Sequence, residues 1–404
     1  MVATVVPVTV ESTTIVKPTH GAISYATSTE TKFEQESFHI TNKIAAGTNV
    51  GDNVEEGPAL FRPYTVRSLT LANRIIVAPM CMYSSKDGFM NDFHLAHLGS
   101  FAIGGAGLVI AEATAVEPRG RISPADTGIW SDDHIPAIKR VVDLVHAQGS
   151  KMGIQLGHAG RKASTKAPYN AESFPASEYW PDDVVGPTAG LRWDDRHEIP
   201  RELLVDEIPE VVKAFAEGAI RANKAGMDTF LSPVTNKRTD HYGGSLENRA
   251  RLLLEVVKAV RANFPAEKPV FLRLSASDCV EHLDIPSWTI DQTVEVSKWA
   301  RDAGVDVVHI SSAGNTADQK VAYSPGYQVH FAERVKKEVA GLGVITVGSI
   351  TNGKQSDEIV AKGQADLIAA ARSWLKNPAF ALEAARELGV KPKYASQYFA
   401  AQYV

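Results

Sequence analysis

VFLRLSA (270–276), VDVVHISS (305–312), LGVITVGS (342–349) and ADLIAAAR (365–372) decide the fold of this 404-residue chain. Each is a short, almost continuously apolar run, the pattern of a strand covered on both faces, as in a parallel sheet. The pattern recurs upstream in Arg74-Ile75-Ile76-Val77-Ala78, in LVIAEATAV (108–116) and in KMGIQLGHAG (151–160). Helix-spaced segments separate the runs. Ile208, Val211, Val212, Phe215 and Ala219 fall at i, i+3, i+4, i+7 and i+11, and Leu253, Val256, Val257 and Val260 repeat the rule. Thr289 with Gln292 reads as a capping box, and Asn377 followed by Pro378 as an N-cap with proline at N1. This alternation, with eight helical segments, predicts an α/β fold, a (β/α)8 TIM barrel.

The fourth unit breaks the pattern. Between the helix ending near Gly226 and the one starting near Asn248 stands DTFLSPVTNKRTDHYGGSLE. Its apolar piece, Thr229–Val234, is short and contains Pro233, which a central strand tolerates poorly. The expectation is a barrel whose fourth strand is shortened or missing. Residues 1–57, rich in Thr, Val, Ser and Gly, show no sustained period and read as a flexible or loosely docked extension; residues 58–404 read as the barrel domain.

Composition narrows the function. Apolar residues make up 44% and charged residues 22%, an ordinary globular balance. Lys+Arg number 42 and Asp+Glu 47, a net charge of −5, so no broad basic surface for nucleic acid is expected. Two cysteines, Cys81 and Cys279, make no disulfide framework, and no Cys/His spacing suggests a zinc site. No apolar run is long enough to cross a membrane, and the N-terminus fits neither a secretory nor a mitochondrial signal, so a cytoplasmic protein is expected.

Function in such barrels gathers where strands end. Loops after the last two strands often bind a phosphate with backbone N–H groups, which Gly348 would let approach closely and Arg372 would clamp; the plain alternative is a turn glycine and a surface arginine. Arg273 and Gln155 are polar groups inside apolar strands, and a buried charge needs a partner, either an anionic cofactor or a core ion pair. Cys81 reads as a small buried hydrophobe or a site residue, and Tyr83 as rim packing or a substrate contact. His94 and His97, three apart without a carboxylate motif, read as structural; His158 is ambiguous. The proline- and tryptophan-rich segment 161–204 reads as an excursion over the barrel mouth.

Taken together, APMCMYS, EATAVEPRGRISPADTGIW, GIQLGHAGRKAS, FLSPVTNKRTDHYGGSLENR, LRLSASD, SPGYQVHFAE and ADLIAAARSWLKNP resemble the Old Yellow Enzyme family, in its thermophilic-like branch with Cys rather than Thr after the first strand. The likeness runs from about Leu60 to about Pro378. It implies an FMN-binding TIM barrel, an NAD(P)H oxidoreductase (ene-reductase) that reduces the C=C bond of an α,β-unsaturated carbonyl compound with NADPH or NADH as hydride donor. Carried onto matching positions, it implies that Ala78, Pro79, Met80 and Cys81 line the flavin and that Ala113 and Gln155 meet its ring edge. Arg273 would face N1 and O2, Gly348, Ala371 and Arg372 would hold the phosphate, and Tyr83 would point to the enone substrate. A homo-oligomer is implied in the same way. One departure stands out: the family's fourth strand, its pair of substrate-polarising histidines and its proton-donating tyrosine have no counterpart here. No catalytic residue can be mapped, so impaired turnover is expected, with a degenerate, non-catalytic flavin binder as the alternative.

Overall fold

A computed structural model describes residues 41–169, 174–225, 227, 229–230 and 238–403. Eight strands form one parallel sheet: β1 (Ile75–Val77), β2 (Leu108–Ala115), β3 (Lys151–Gly157), β4 (Thr229–Phe230), β5 (Phe271–Ser275), β6 (Val307–Ser311), β7 (Gly343–Thr346) and β8 (Leu367–Ala370). Their order is β4-β3-β2-β1-β8-β7-β6-β5. The helices are α1 (Asp92–Ile103), α2 (Ile135–Ala147), α3 (Ile208–Lys224), α4 (Leu246–Asn263), α5 (Ile290–Asp302), α6 (Val329–Glu338), α7 (Gly353–Ala361), α8 (Arg372–Lys376) and α9 (Phe380–Glu387). This is the expected TIM-barrel architecture.

The core follows the two-residue alternation of strands. Ile75, Val77 and Val109 join the cluster against the helices, while Ile76, Leu108 and Ile110 join an inner cluster with Phe271, Val307, Ile345 and Leu367. That inner cluster includes Leu69 and Leu71 from a short antiparallel hairpin, Tyr64–Val66 with Leu69–Leu71.

Two registers place the site. In β2 and β3 the pairing shifts between Ala111 and Ala113, after which Ala113 stands opposite Gln155; such irregularities re-aim side chains next to functional sites. In β5 and β6 the register is unbroken, and His309 stands opposite Arg273.

The fourth strand is the weak unit the sequence indicates. Among the described residues of this unit, Thr229 and Phe230 pair with β3, at Gly153 and Ile154. Among the described residues no ladder joins β4 to β5. The remainder of the expected substitute, up to Val234, lies outside the described residues.

Of the extension expected over 1–57, residues 1–40 also lie outside the described residues. The part that follows is fastened to the barrel. Asn42 N donates to Ala147 O (2.7 Å), its side-chain amide to Gln148 (2.9 Å), Gly47 N to Lys393 O (2.8 Å) and Val50 N to Lys391 O (2.9 Å). One cap and one helix start differ from expectation. Thr289 precedes α5 but makes no side-chain cap. Asn377 does not cap α9 directly; its Oδ1 accepts from Ala379 N (2.9 Å), and this tight turn delays the helix to Phe380. No helix among the described residues is long and apolar enough to cross a membrane.

Candidate active site

The carboxyl ends of β3, β5, β6, β7 and β8 surround a cavity of about 1090 Å³ whose lining includes Gln155, Arg273, Ser311, Gly348, Ala371 and Arg372. Gly348 has φ +115°, a backbone conformation closed to most side chains, and a Cβ there would meet Gln328 Nε2 at 2.4 Å. Ser373 Oγ donates to Ile350 O (2.8 Å), tying the loop after β7 to the start of α8. Arg372 has no ion-pair partner among the described residues. This end therefore offers a flexible-backbone turn and an unspent cation, the make-up of an anion site.

Arg273 sits deeper. Burial pulls its guanidinium down to about 10. The groups nearest in charge terms are Cys81 and Tyr327, both protonated acids rather than carboxylates. Burial, reinforced by Asp126 and Glu112, pushes the Cys81 thiol up, so it stays a thiol at neutral pH. Among the described residues Arg273 is thus a cation with no carboxylate paired to it, which is expensive unless a ligand supplies the negative charge.

The remaining sequence-predicted residues lie beside this cavity. Ala113 and Gln155 both line a neighbouring cavity of about 310 Å³ with apolar walls from α3 and α4. Ala78 N donates to Ala370 O (2.9 Å), so the run Ala78-Pro79-Met80-Cys81 leaves the barrel next to β8. These four residues are not among those lining either cavity. Met82 N donates to the buried Glu112 carboxylate (2.9 Å), which anchors the run from below. Burial, with Glu112 adding repulsion, pushes Asp126 nearby up to about 7, against the hydrogen bonds it accepts from Ile122 N and Ser123 Oγ (both 2.8 Å). Tyr83, at φ +48°, meets the Tyr169 ring edge-on at 5.9 Å.

Lys162 was missed in the sequence. It lines both cavities, its Nζ stands 4.8 Å over the Trp193 ring and donates to Gly314 O. Burial and the neighbouring Arg161 pull it down to about 8. The signal was its position in GHAGRKAS at the end of β3. The histidines have local duties: His94 Nδ1 accepts from Asn91 N (3.2 Å) at the start of α1, His97 stacks on Phe93, and His158 Nε2 lies 3.2 Å from Glu117. Among the described residues no group of three or more His, Cys, Asp or Glu could hold a metal ion.

Residues 59–390 match the model of the NADH:flavin oxidoreductase / NADH oxidase family. An NADPH dehydrogenase of Bacillus velezensis is 42% identical over 355 residues, covering 84% of this chain and 98% of that one. NADH:flavin oxidoreductase FG08077 of Gibberella zeae is 38% identical, covering 87% and 90%. Among solved structures, morphinone reductase superposes with a TM-score of 0.67 at 27% identity, covering 84% of this chain and 91% of the other.

Proposed function

Because the chain belongs to the NADH:flavin oxidoreductase / NADH oxidase family, the Old Yellow Enzyme family its motifs resemble, we propose that it uses FMN to pass hydride from NADPH or NADH to the C=C bond of an α,β-unsaturated carbonyl compound. The observation that carries this reading is that Arg273, Gln155 and Arg372, far apart in sequence, line one cavity. The residues present fit FMN: the cavity is of ligand size, and among the described residues one end has an unpaired cation beside a glycine turn and the floor a cation with no carboxylate partner. Bound FMN would supply the two-electron relay between nicotinamide and alkene.

The chain's own groups then divide the work. Gly348, Ala371 and Arg372 would hold the phosphate, and Gln155 and Ala113 would meet the ring edge. Ala78, Pro79, Met80 and Cys81, which leave the barrel next to β8, would flank the ring, with Cys81 as a neutral thiol. Arg273 would place positive charge where the reduced ring is negative. Tyr83 stands on the substrate side. With the polarising histidines missing from the sequence, Lys162 is the donor we assign to the substrate carbonyl oxygen, where negative charge develops. Being pulled down to about 8, it carries its proton below that pH and has lost it above.

Lys162→Met should therefore lower enone turnover by about 10²-fold, the usual worth of one such donor. The wild-type rate should fall as pH rises through about 8, and that limb should vanish in the variant. An unchanged rate and profile in Lys162→Met would remove this role.

A purified sample should be yellow, bleach with NADPH under anaerobic conditions, and recover its absorbance when cyclohexenone is added. A colourless protein that takes up no FMN would end the reading. Bleaching without recovery would favour the second reading, a degenerate flavin binder, which the missing histidine pair supports.

A further inference from the structure

Arg273 and His309 occupy paired positions on β5 and β6 and therefore project from the same face of the sheet. Arg273 Nη1 lies 3.4 Å from both ring nitrogens of His309. A donor approaching in the plane of the ring cannot be equally close to both without colliding with the carbon between them. Nη1 therefore lies over the ring face, a contact that guanidinium makes readily with aromatic rings. His309 is fully buried, and burial together with Arg273 holds it well below its ordinary range, so the ring is neutral. The outcome is unusual for a half-buried arginine. It lies against an aromatic surface, and among the described residues no carboxylate pairs with it.

We propose that His309 is a positioning residue that holds Arg273 toward the flavin cavity without neutralising it, so that its whole charge is available to the reduced, anionic flavin. This rests on the FMN reading above. A carboxylate in the same place would pair with Arg273 and withdraw that charge. A small neutral group would leave the charge but loosen its aim.

The test compares affinities for oxidised FMN and for dithionite-reduced FMN in the wild type, His309→Asp and His309→Asn. For His309→Asp the ratio of reduced to oxidised affinity should fall by about tenfold, a drop of about 30 mV in the two-electron potential. For His309→Asn both affinities should weaken alike, leaving the ratio within about twofold. An unchanged ratio in His309→Asp, or equal loss of both redox forms, would overturn the proposal and leave His309 as core packing. A wild type that binds neither form would instead defeat the FMN reading itself, so the two failures are distinguishable.

Discussion

Arg372→Gln should weaken FMN binding by about 10²–10³-fold, or about 3–4 kcal/mol. Removing one partner of a hydrogen-bonded charge pair typically costs about 2–5 kcal/mol, much of it the penalty of leaving the other charge unmatched. Arg372 stands at the first position of α8, immediately after the barrel's last strand, and faces the cavity beside Gly348. Its guanidinium has no ion-pair partner among the described residues, so the protein gives up little when it is removed. The loop geometry should survive, because Ser373 Oγ still reaches Ile350 O. Riboflavin, which lacks the phosphate, separates the possibilities. It should bind wild type and variant alike, while FMN discriminates between them. Fluorescence titration with both ligands reads this directly, and equal loss of riboflavin would show that Arg372 shapes the fold instead of gripping phosphate.

The largest stability effect is expected at Trp374. This side chain is fully buried two residues further along α8, and its indole N–H donates to Ile76 O (3.2 Å). Its ring lies edge-on to Phe101 at 5.6 Å and Phe380 at 5.5 Å. It therefore pins α1, α8 and α9 to the first strand. Trp374→Ala should cost about 3–5 kcal/mol through lost transfer energy and the cavity left behind. That is a large part of a typical total of about 5–15 kcal/mol. Trp374→Phe keeps most of the packing and should lose about 1 kcal/mol, the net worth of the hydrogen bond. Urea denaturation checks both, with a lowered midpoint and unchanged slope expected. A midpoint for Trp374→Ala within error of wild type would show that the neighbouring rings close over the gap.

The barrel was legible because its strands are buried on both faces. LGVITVGS and ADLIAAAR have few other uses in a protein of this composition, and both became strands at the expected places. The fourth unit was legible as a defect for the complementary reason: Thr229–Val234 has too few apolar positions to span a sheet. Arg273, Gln155 and Arg372 could be read as a set because each is a polar residue in or at the end of an apolar run. His309 satisfies the same criterion, a polar residue in VDVVHISS, yet its partner emerges only from the register of β5 against β6. Lys162 was hidden differently. A lysine in a loop is usually solvated, and its burial depends on Trp193, thirty-one positions on, folding back over it. Thr289 stands at the N-cap of α5 as its signal indicates, without a side-chain bond, whereas the start read at Asn377 is displaced to Phe380 because local signals do not decide where a turn has room to begin.

Among the described residues no ladder joins β4 to β5, and this seam falls in mid-chain and not at the termini. One half-ring runs β1 to β4 and the other β5 to β8. They meet through the β8–β1 ladder, where Ala369 pairs with Ile76, and through the packing of α3 on α4 outside. Gln155 belongs to the first half-ring, while Arg273, Gly348 and Arg372 belong to the second. Any molecule held by all four would be a clasp across this seam, fastening one half-ring to the other.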